Sequence, residues 1–359
     1  MTEANGHGNG NGSGGGTPHP GSGVEVQLTK KDFESDQDVR WCPGCGDYAI
    51  LATVQGFMPE LNVPRENIVF ISGIGCAARF PYYMETYGFH SIHGRAPALA
   101  SGLAVARPEL DVWVVTGDGD ALSIGGNHLI HSMRRNVNLT VLMFNNQIYG
   151  LTKGQYSPTS EIGKVTKSTP FGSTDYPFNP VSLALGAECT FVARTIDNDR
   201  KHLTDILRKA VAHRGTKFIE IYQNCNIFND GAFDAVRDVR SGRGNRIYLE
   251  HGKPIRFGQG EDKGVVATGD GTLRIVDVEE VGEERLLVHD ESALDATRAF
   301  ALSRLAHTPT GPTPIGVFRS VQRPVYEDLV TQQVEMARER SGAGDLDKLL
   351  HAGETWTVS

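Results

Sequence analysis

No apolar run in this sequence approaches the ~18–20 residues needed to cross a bilayer, so no membrane span is expected. No stretch is densely basic and the net charge is −8, so nucleic acid is not expected as a partner. Residues 1–24 are mostly Gly, Asn, His, Ser, Thr and Pro, with almost nothing to bury. They lack the charged start and apolar middle of a secretory signal and are expected to be a disordered extension. A cytoplasmic location follows as the expectation. Cysteine is scarce, at five residues. In a reducing compartment these are better read as ligands, nucleophiles or core residues than as a disulfide framework. There is no internal repeat.

What is present is the composition of a globular protein, 39% apolar and 22% charged, long enough for one large domain or two ordinary ones. Residues 47–57 read as a helix, with Tyr48, Leu51 and Val54 at helical spacing. Residues 67–72 (NIVFIS), 111–116 (DVWVVT), 139–144 (LTVLMF) and 218–222 (FIEIY) read as apolar strands. Helices are expected between them at 96–106, 125–135 and 201–213, and residues 181–185 continue the apolar alternation. The fold class is therefore α/β, a parallel sheet covered by helices on both faces, with ligands at the carboxyl ends of the strands. Beyond residue 229 the character changes. Residues 230–246 are polar, Arg-rich and Gly-punctuated, with a strand expected at 315–319 and a helix at 325–340. The chain divides as 1–24, a cofactor-binding domain at 25–229, and an irregular C-terminal interaction segment at 230–359.

The strand DVWVVT runs into Gly117-Asp118-Gly119-Asp120, and Asn145-Asn146 follow the next strand about 25 residues on. Mg²⁺ takes oxygen ligands in an octahedron, often one or two carboxylates plus phosphate oxygens. Glycines let backbone approach a diphosphate, and one strand–helix–strand unit sets the second loop beside the first. A lone Gly-Asp-Gly is usually a turn. The strand, the spacing and the Asn pair together are similar to the thiamine diphosphate signature. By that likeness Asp118 and Asn146 ligate Mg²⁺ through their side chains and Ile148 through its carbonyl. Asp120 serves the diphosphate or caps the helix.

Cys42-Pro43-Gly44-Cys45 precedes a helix, Cys76 lies in the turn after NIVFIS, and Cys225 lies just beyond FIEIY. Four thiolates from three loops at one sheet edge could hold a cubane cluster. A Cys₄ zinc site and a redox-active dithiol remain alternatives on spacing alone. Cys189 reads as a buried core residue.

The segments WCPGCG, GIGCAARFPYY, FHSIHGRAPALASGLAVARPEL, VVTGDGD and NNQIYGLTKGQ stand in this order. In them the chain resembles the β subunits of 2-oxoacid:ferredoxin oxidoreductases, strongly over residues 41–229 and more weakly as far as 315–319. The resemblance implies a thiamine diphosphate-binding fold and a [4Fe-4S] cluster on Cys42, Cys45, Cys76 and Cys225. It implies a cofactor pocket lined by Ile74, Gly75, Cys76 and Ala77, by His93 and Gly94, by Gly119 and Asp120, and by Gly150, Leu151 and Thr152. His93 would donate to a phosphate oxygen, and a solvated or core histidine is the plainer reading. Arg79 would pair with the distal carboxylate of 2-oxoglutarate, against a surface arginine or an ion pair to another subunit.

The activity implied is oxidative decarboxylation of 2-oxoglutarate with coenzyme A to succinyl-CoA, CO₂ and reduced ferredoxin. Pyruvate or another 2-oxoacid is the alternative substrate. Thiamine enzymes need a further carboxylate against the aminopyrimidine, and this chain has room for only one cofactor domain. An α subunit in an α₂β₂ assembly is the expected source. A non-redox thiamine decarboxylase would not need the four cysteines, and a silent zinc-stabilised subunit would not need the diphosphate site.

Overall fold

The computed structural model describes residues 28–238, 242–305 and 311–358. The extension expected at 1–24 lies outside them. Alternation starts with α1 (Asp47–Phe57) and β1 (Ile68–Ser72), then β2 (Tyr87–His90), α2 (Ala96–Ala106) and β3 (Asp111–Gly117). Next come α3 (Asp118–Leu122), α4 (Gly126–Arg135), β4 (Thr140–Asn145), α5 (Pro180–Gly186), β5 (Phe191–Ile196), α6 (Arg200–Val211) and β6 (Lys217–Tyr222). Beyond them lie β7 (Arg246–Leu249), β8 (Arg256–Phe257), β9 (Lys263–Ala267), β10 (Leu273–Asp277) and β11 (Thr313–Ser320).

Eight strands form one sheet in the order β2-β1-β3-β4-β6-β5-β11-β7, and β8–β10 form a separate three-stranded sheet. The six strands from β2 to β5 along the large sheet are parallel. β11 pairs antiparallel with β5, and β7 runs parallel to β11. The sheet is thus parallel except at this edge, where two strands from beyond residue 229 run the other way.

Alternate residues of each strand feed two cores. Val69, Ile71, Val112, Val114, Val141 and Met143 face α2, α4 and α5. Ile68, Phe70, Trp113, Val115, Leu142 and Phe144 face α1 and α6. Burial on both faces explains why these strands read as unbroken apolar runs, each large side chain contributing ~1.5–3 kcal/mol. Ala96, Ala100 and Ala104 recur every four residues along α2, so it packs closely on the sheet.

Residues 181–185, read as a continuation of the apolar alternation, are helical. Pro180 occupies the first turn of α5 and the Asn179 side chain accepts from Ser182 N–H, which starts a helix. The strand of that unit is β5, whose central Arg194 breaks its apolar pattern. Arg194 is buried because Nε donates to Glu220 Oε2 at 2.6 Å. The described part of the Arg-rich stretch folds into short turns held by Arg237 on Asp197 and Arg246 on Asp199. Residues 239–241 lie outside the described part.

Candidate active site

Because β1, β3, β4 and β6 are parallel, the loops after them emerge at one edge of the sheet. They carry Gly73–Cys76, the Gly117–Asp120 turn, Asn145-Asn146 and Cys225 in that order. The Cys42–Cys45 loop joins them because Gly46 N–H donates to Asn224 O at 3.1 Å. At this edge opens a cavity of about 960 Å³. Asp118, Asn146 and Ile148 line it, as does every residue expected at the cofactor except Gly94.

Asp118 is 2% exposed, and its Oδ2 accepts from Ser157 Oγ and Thr159 Oγ1, both at 2.6 Å. Burial pushes its pKa up to about 6 although both hydroxyls oppose the rise. Neutral donors leave the carboxylate's charge uncompensated, and a hard cation would supply the missing charge. Asn146 Oδ1 accepts from Ile148 N–H at 3.2 Å, turning the chain beneath the cavity. Asn145 is internal: Nδ2 donates to Glu220 Oε1, and Oδ1 accepts from Thr159 Oγ1 at 3.0 Å.

Asp120 binds the loops together. Oδ1 accepts from Ile74 N–H at 3.1 Å and Gly94 N–H at 2.8 Å, and Oδ2 from Thr116 Oγ1 at 2.9 Å. Gly94 stands behind the cavity wall with φ 67°, and a Cβ there would lie 2.4 Å from Gly125 N. Only glycine permits this approach of two backbones. Gly119 lies under the Tyr149 ring, whose hydroxyl donates to Gly119 O at 3.0 Å.

The four cysteines of the expected ligand set gather at one side of the cavity. Cys45 and Cys76 are half-buried and Cys42 is exposed. A Cβ added to Gly150 would lie 3.5 Å from Cys76 Sγ and 3.6 Å from Cys225 Sγ. Cys45 senses the charges of Cys225 and Cys76, and Cys76 those of Cys225 and Cys42. Burial, reinforced by Asp47, raises the Cys45 and Cys76 thiols, Cys76 to about 12. A positive partner such as iron would favour the thiolate forms. Among the described residues, no group of three or more His, Cys, Asp or Glu side chains is placed to hold a metal ion. A cubane cluster takes one cysteine on each of its irons, and four thiols are the donor chemistry that it needs.

His93 lines the cavity with an exposed side chain. Arg79 does not line the cavity. It sits on the turn after Cys76, close enough to lower the pKa values of Cys76 and His90, and its buried Nε has no partner among the described residues.

Ser157 and Thr159 were not foreseen from the sequence. Thr159 ties the Asp118 loop to the Asn145 loop from a segment without periodicity, and only the run of hydroxyls at Ser157, Thr159 and Ser160 could have flagged it. Thr159→Val removes the hydroxyl whose single proton serves these two buried acceptors. It is expected to cost ~1–3 kcal/mol of stability, read from the midpoint of urea unfolding.

A model of the thiamine pyrophosphate enzyme, C-terminal TPP binding domain, matches residues 73–221. The 2-oxoglutarate oxidoreductase subunit KorB of Mycobacterium tuberculosis is 61% identical over 331 residues, 91% of this chain and 88% of that protein. The 2-oxoacid:ferredoxin oxidoreductase subunit beta of Saccharolobus solfataricus is 45% identical over 192 residues, 53% of this chain and 63% of its own length. One solved structure is a 2-oxoglutarate:ferredoxin oxidoreductase from Magnetococcus marinus with 2-oxoglutarate, coenzyme A and succinyl-CoA bound. A chain of it matches with TM-score 0.70 and 32% identity, over 93% of this chain and 98% of that one. With identity this high along nearly the whole sequence, and the same sheet beneath it, the chain belongs to the β subunits of the 2-oxoacid:ferredoxin oxidoreductase family.

Proposed function

We propose that the chain is the β subunit of a 2-oxoglutarate:ferredoxin oxidoreductase, converting 2-oxoglutarate and coenzyme A to succinyl-CoA and CO₂ while reducing ferredoxin. One observation carries this reading: the buried Asp118 carboxylate and Cys76 line one cavity, and Cys76 stands beside Cys225 and Cys42. Thiamine diphosphate supplies the electron sink for loss of CO₂, and a [4Fe-4S] cluster accepts electrons singly. Asp118 and Asn146 would hold Mg²⁺ through their side chains and Ile148 through its carbonyl. His93, exposed on the cavity wall, would donate to a diphosphate oxygen. Asp120, with both oxygens engaged, acts by holding the three loops in register.

Phe171 (100% exposed), Tyr176 (86%), Phe178 and Leu151 leave apolar surface in and around the loop that borders the cavity. An α subunit covering them would exclude water and bring the carboxylate that the aminopyrimidine needs, in an α₂β₂ enzyme. Among the described residues no helix is long and apolar enough to cross a membrane, and the cytoplasm is the proposed location. Iron, acid-labile sulfide and zinc assays on the purified enzyme test the cluster. Equal iron and sulfide with little zinc is expected, and zinc alone would refute it.

Arg79 tests substrate choice. From its place beside Cys76, Arg79→Leu is expected to change KM for 2-oxoglutarate and for pyruvate by similar factors. A rise confined to 2-oxoglutarate would assign the guanidinium to the distal carboxylate.

A further inference from the structure

We infer that Gln223 raises the reduction potential of the [4Fe-4S] cluster by donating a side-chain N–H to Cys45 Sγ, an inference that rests on the cluster reading above. Gln223 is the first residue after β6 and is 1% exposed. Its backbone N–H donates to Asn145 O at 2.9 Å, so the residue ties the cysteine loops to the loop of the Asn pair. Its Nε2 lies 2.6 Å from Asn224 O and 3.2 Å from Cys45 Sγ.

The direction of the amide follows from these neighbours. A backbone carbonyl can only accept, so the atom facing Asn224 O is the nitrogen. A flipped amide would press its oxygen against that carbonyl and against the sulfur. Nε2 has two hydrogens, one for each acceptor. Oε1 is buried without a partner among the described residues, which costs ~1–3 kcal/mol. The two donations are what hold the side chain in that orientation.

A sulfur bound to iron is a thiolate, and hydrogen bonds to charged acceptors are the stronger kind. An added electron places more negative charge on the cluster and its sulfurs. A donor on Cys45 Sγ therefore stabilises the reduced state more than the oxidised state, and the potential rises. The Asp47 backbone also bonds this sulfur. Of the two, the Gln223 donor is the one that a side-chain substitution removes. Gln223 is a positioning and tuning residue, since it touches a ligand of the cluster and not the substrate.

Gln223→Met keeps the length of the side chain and deletes the donor. In the enzyme assembled with its partner subunit, redox titration followed by electron paramagnetic resonance should give a more negative midpoint at unchanged iron content. A tenfold less favourable reduction, about 59 mV for one electron, is the expected size. An intact cluster with an unchanged midpoint overturns this inference alone. A wild-type enzyme holding no iron and sulfide overturns the cluster reading and this inference with it. Should the variant fail to keep its cluster, wild-type protein labelled with amide-¹⁵N glutamine decides the matter. Pulsed resonance on the reduced cluster should show ¹⁵N coupling, and its absence overturns the inference.

Discussion

Asp118→Ala is expected to abolish Mg²⁺-dependent binding of thiamine diphosphate while the fold survives. The carboxylate is buried among neutral donors, the hydroxyls of Ser157 and Thr159 and nearby backbone N–H groups, and a cation would balance its charge. If Asp118 touches the metal as proposed, its loss should exceed the ~10–100-fold typical of outer-shell changes. The fold should persist because removing a buried carboxylate also removes its desolvation cost. Thr159 retains Asn145 Oδ1 as an acceptor, and Ser157 retains Thr159 and Ser160 as neighbours. Asp118→Asn separates charge from shape, since the amide oxygen can still accept from both hydroxyls, and it should lose the metal as well. Calorimetric titration of each assembled variant with thiamine diphosphate and Mg²⁺ is the check. Wild-type affinity in either variant would show that Asp118 is not a ligand.

Cys42→Ser is expected to divide the reaction in two. Cys76 lines the cavity, so replacing it would disturb the cofactor site together with the cluster. Cys42 does not line it, and lies exposed on a separate loop where Cys45 N–H donates to Cys42 O at 3.1 Å. That backbone bond does not depend on the sulfur, so the loop should keep its shape. Serine is a poor ligand for soft iron, and the cluster should be absent or labile. With its partner subunit, Mg²⁺ and thiamine diphosphate, the variant should still release labelled CO₂ from 2-oxoglutarate in a first turnover. It should reduce neither ferredoxin nor a viologen dye. Circular dichroism and cofactor affinity establish beforehand that the variant is folded and loaded. Ferredoxin reduction at the wild-type rate without a cluster would make the cysteines structural.

Regular elements and the loops that end them were legible in the sequence, for a physical reason. Strands buried on both faces are written as apolar runs, and such runs at 67–72, 111–116, 139–144 and 218–222 became β1, β3, β4 and β6. Parallel strands deliver their following loops to one edge, so Cys76, Asp118, Asn146 and Cys225 converge without any further signal. Helices with clear periodicity and boundaries, α1 and α2, came out with the expected limits. Chain direction at the far edge was not legible, because an antiparallel β11 carries the same apolar pattern as a parallel one. β5 was hidden by Arg194, whose burial depends on Glu220, 26 residues away in sequence. The donors to Asp118 come from 39 and 41 residues downstream, in a segment without periodicity.

The central claim is that one chain holds the thiamine site and the electron-accepting cluster close enough to work in sequence. Mixing the anaerobic assembled enzyme with 2-oxoglutarate and coenzyme A, with no external acceptor, tests it most directly. Visible absorbance of the cluster should bleach, and a reduced-cluster resonance should grow, within the turnover that releases CO₂. Omitting thiamine diphosphate or 2-oxoglutarate should prevent both changes. Release of CO₂ with the cluster remaining oxidised, in protein that contains both groups, would contradict the account.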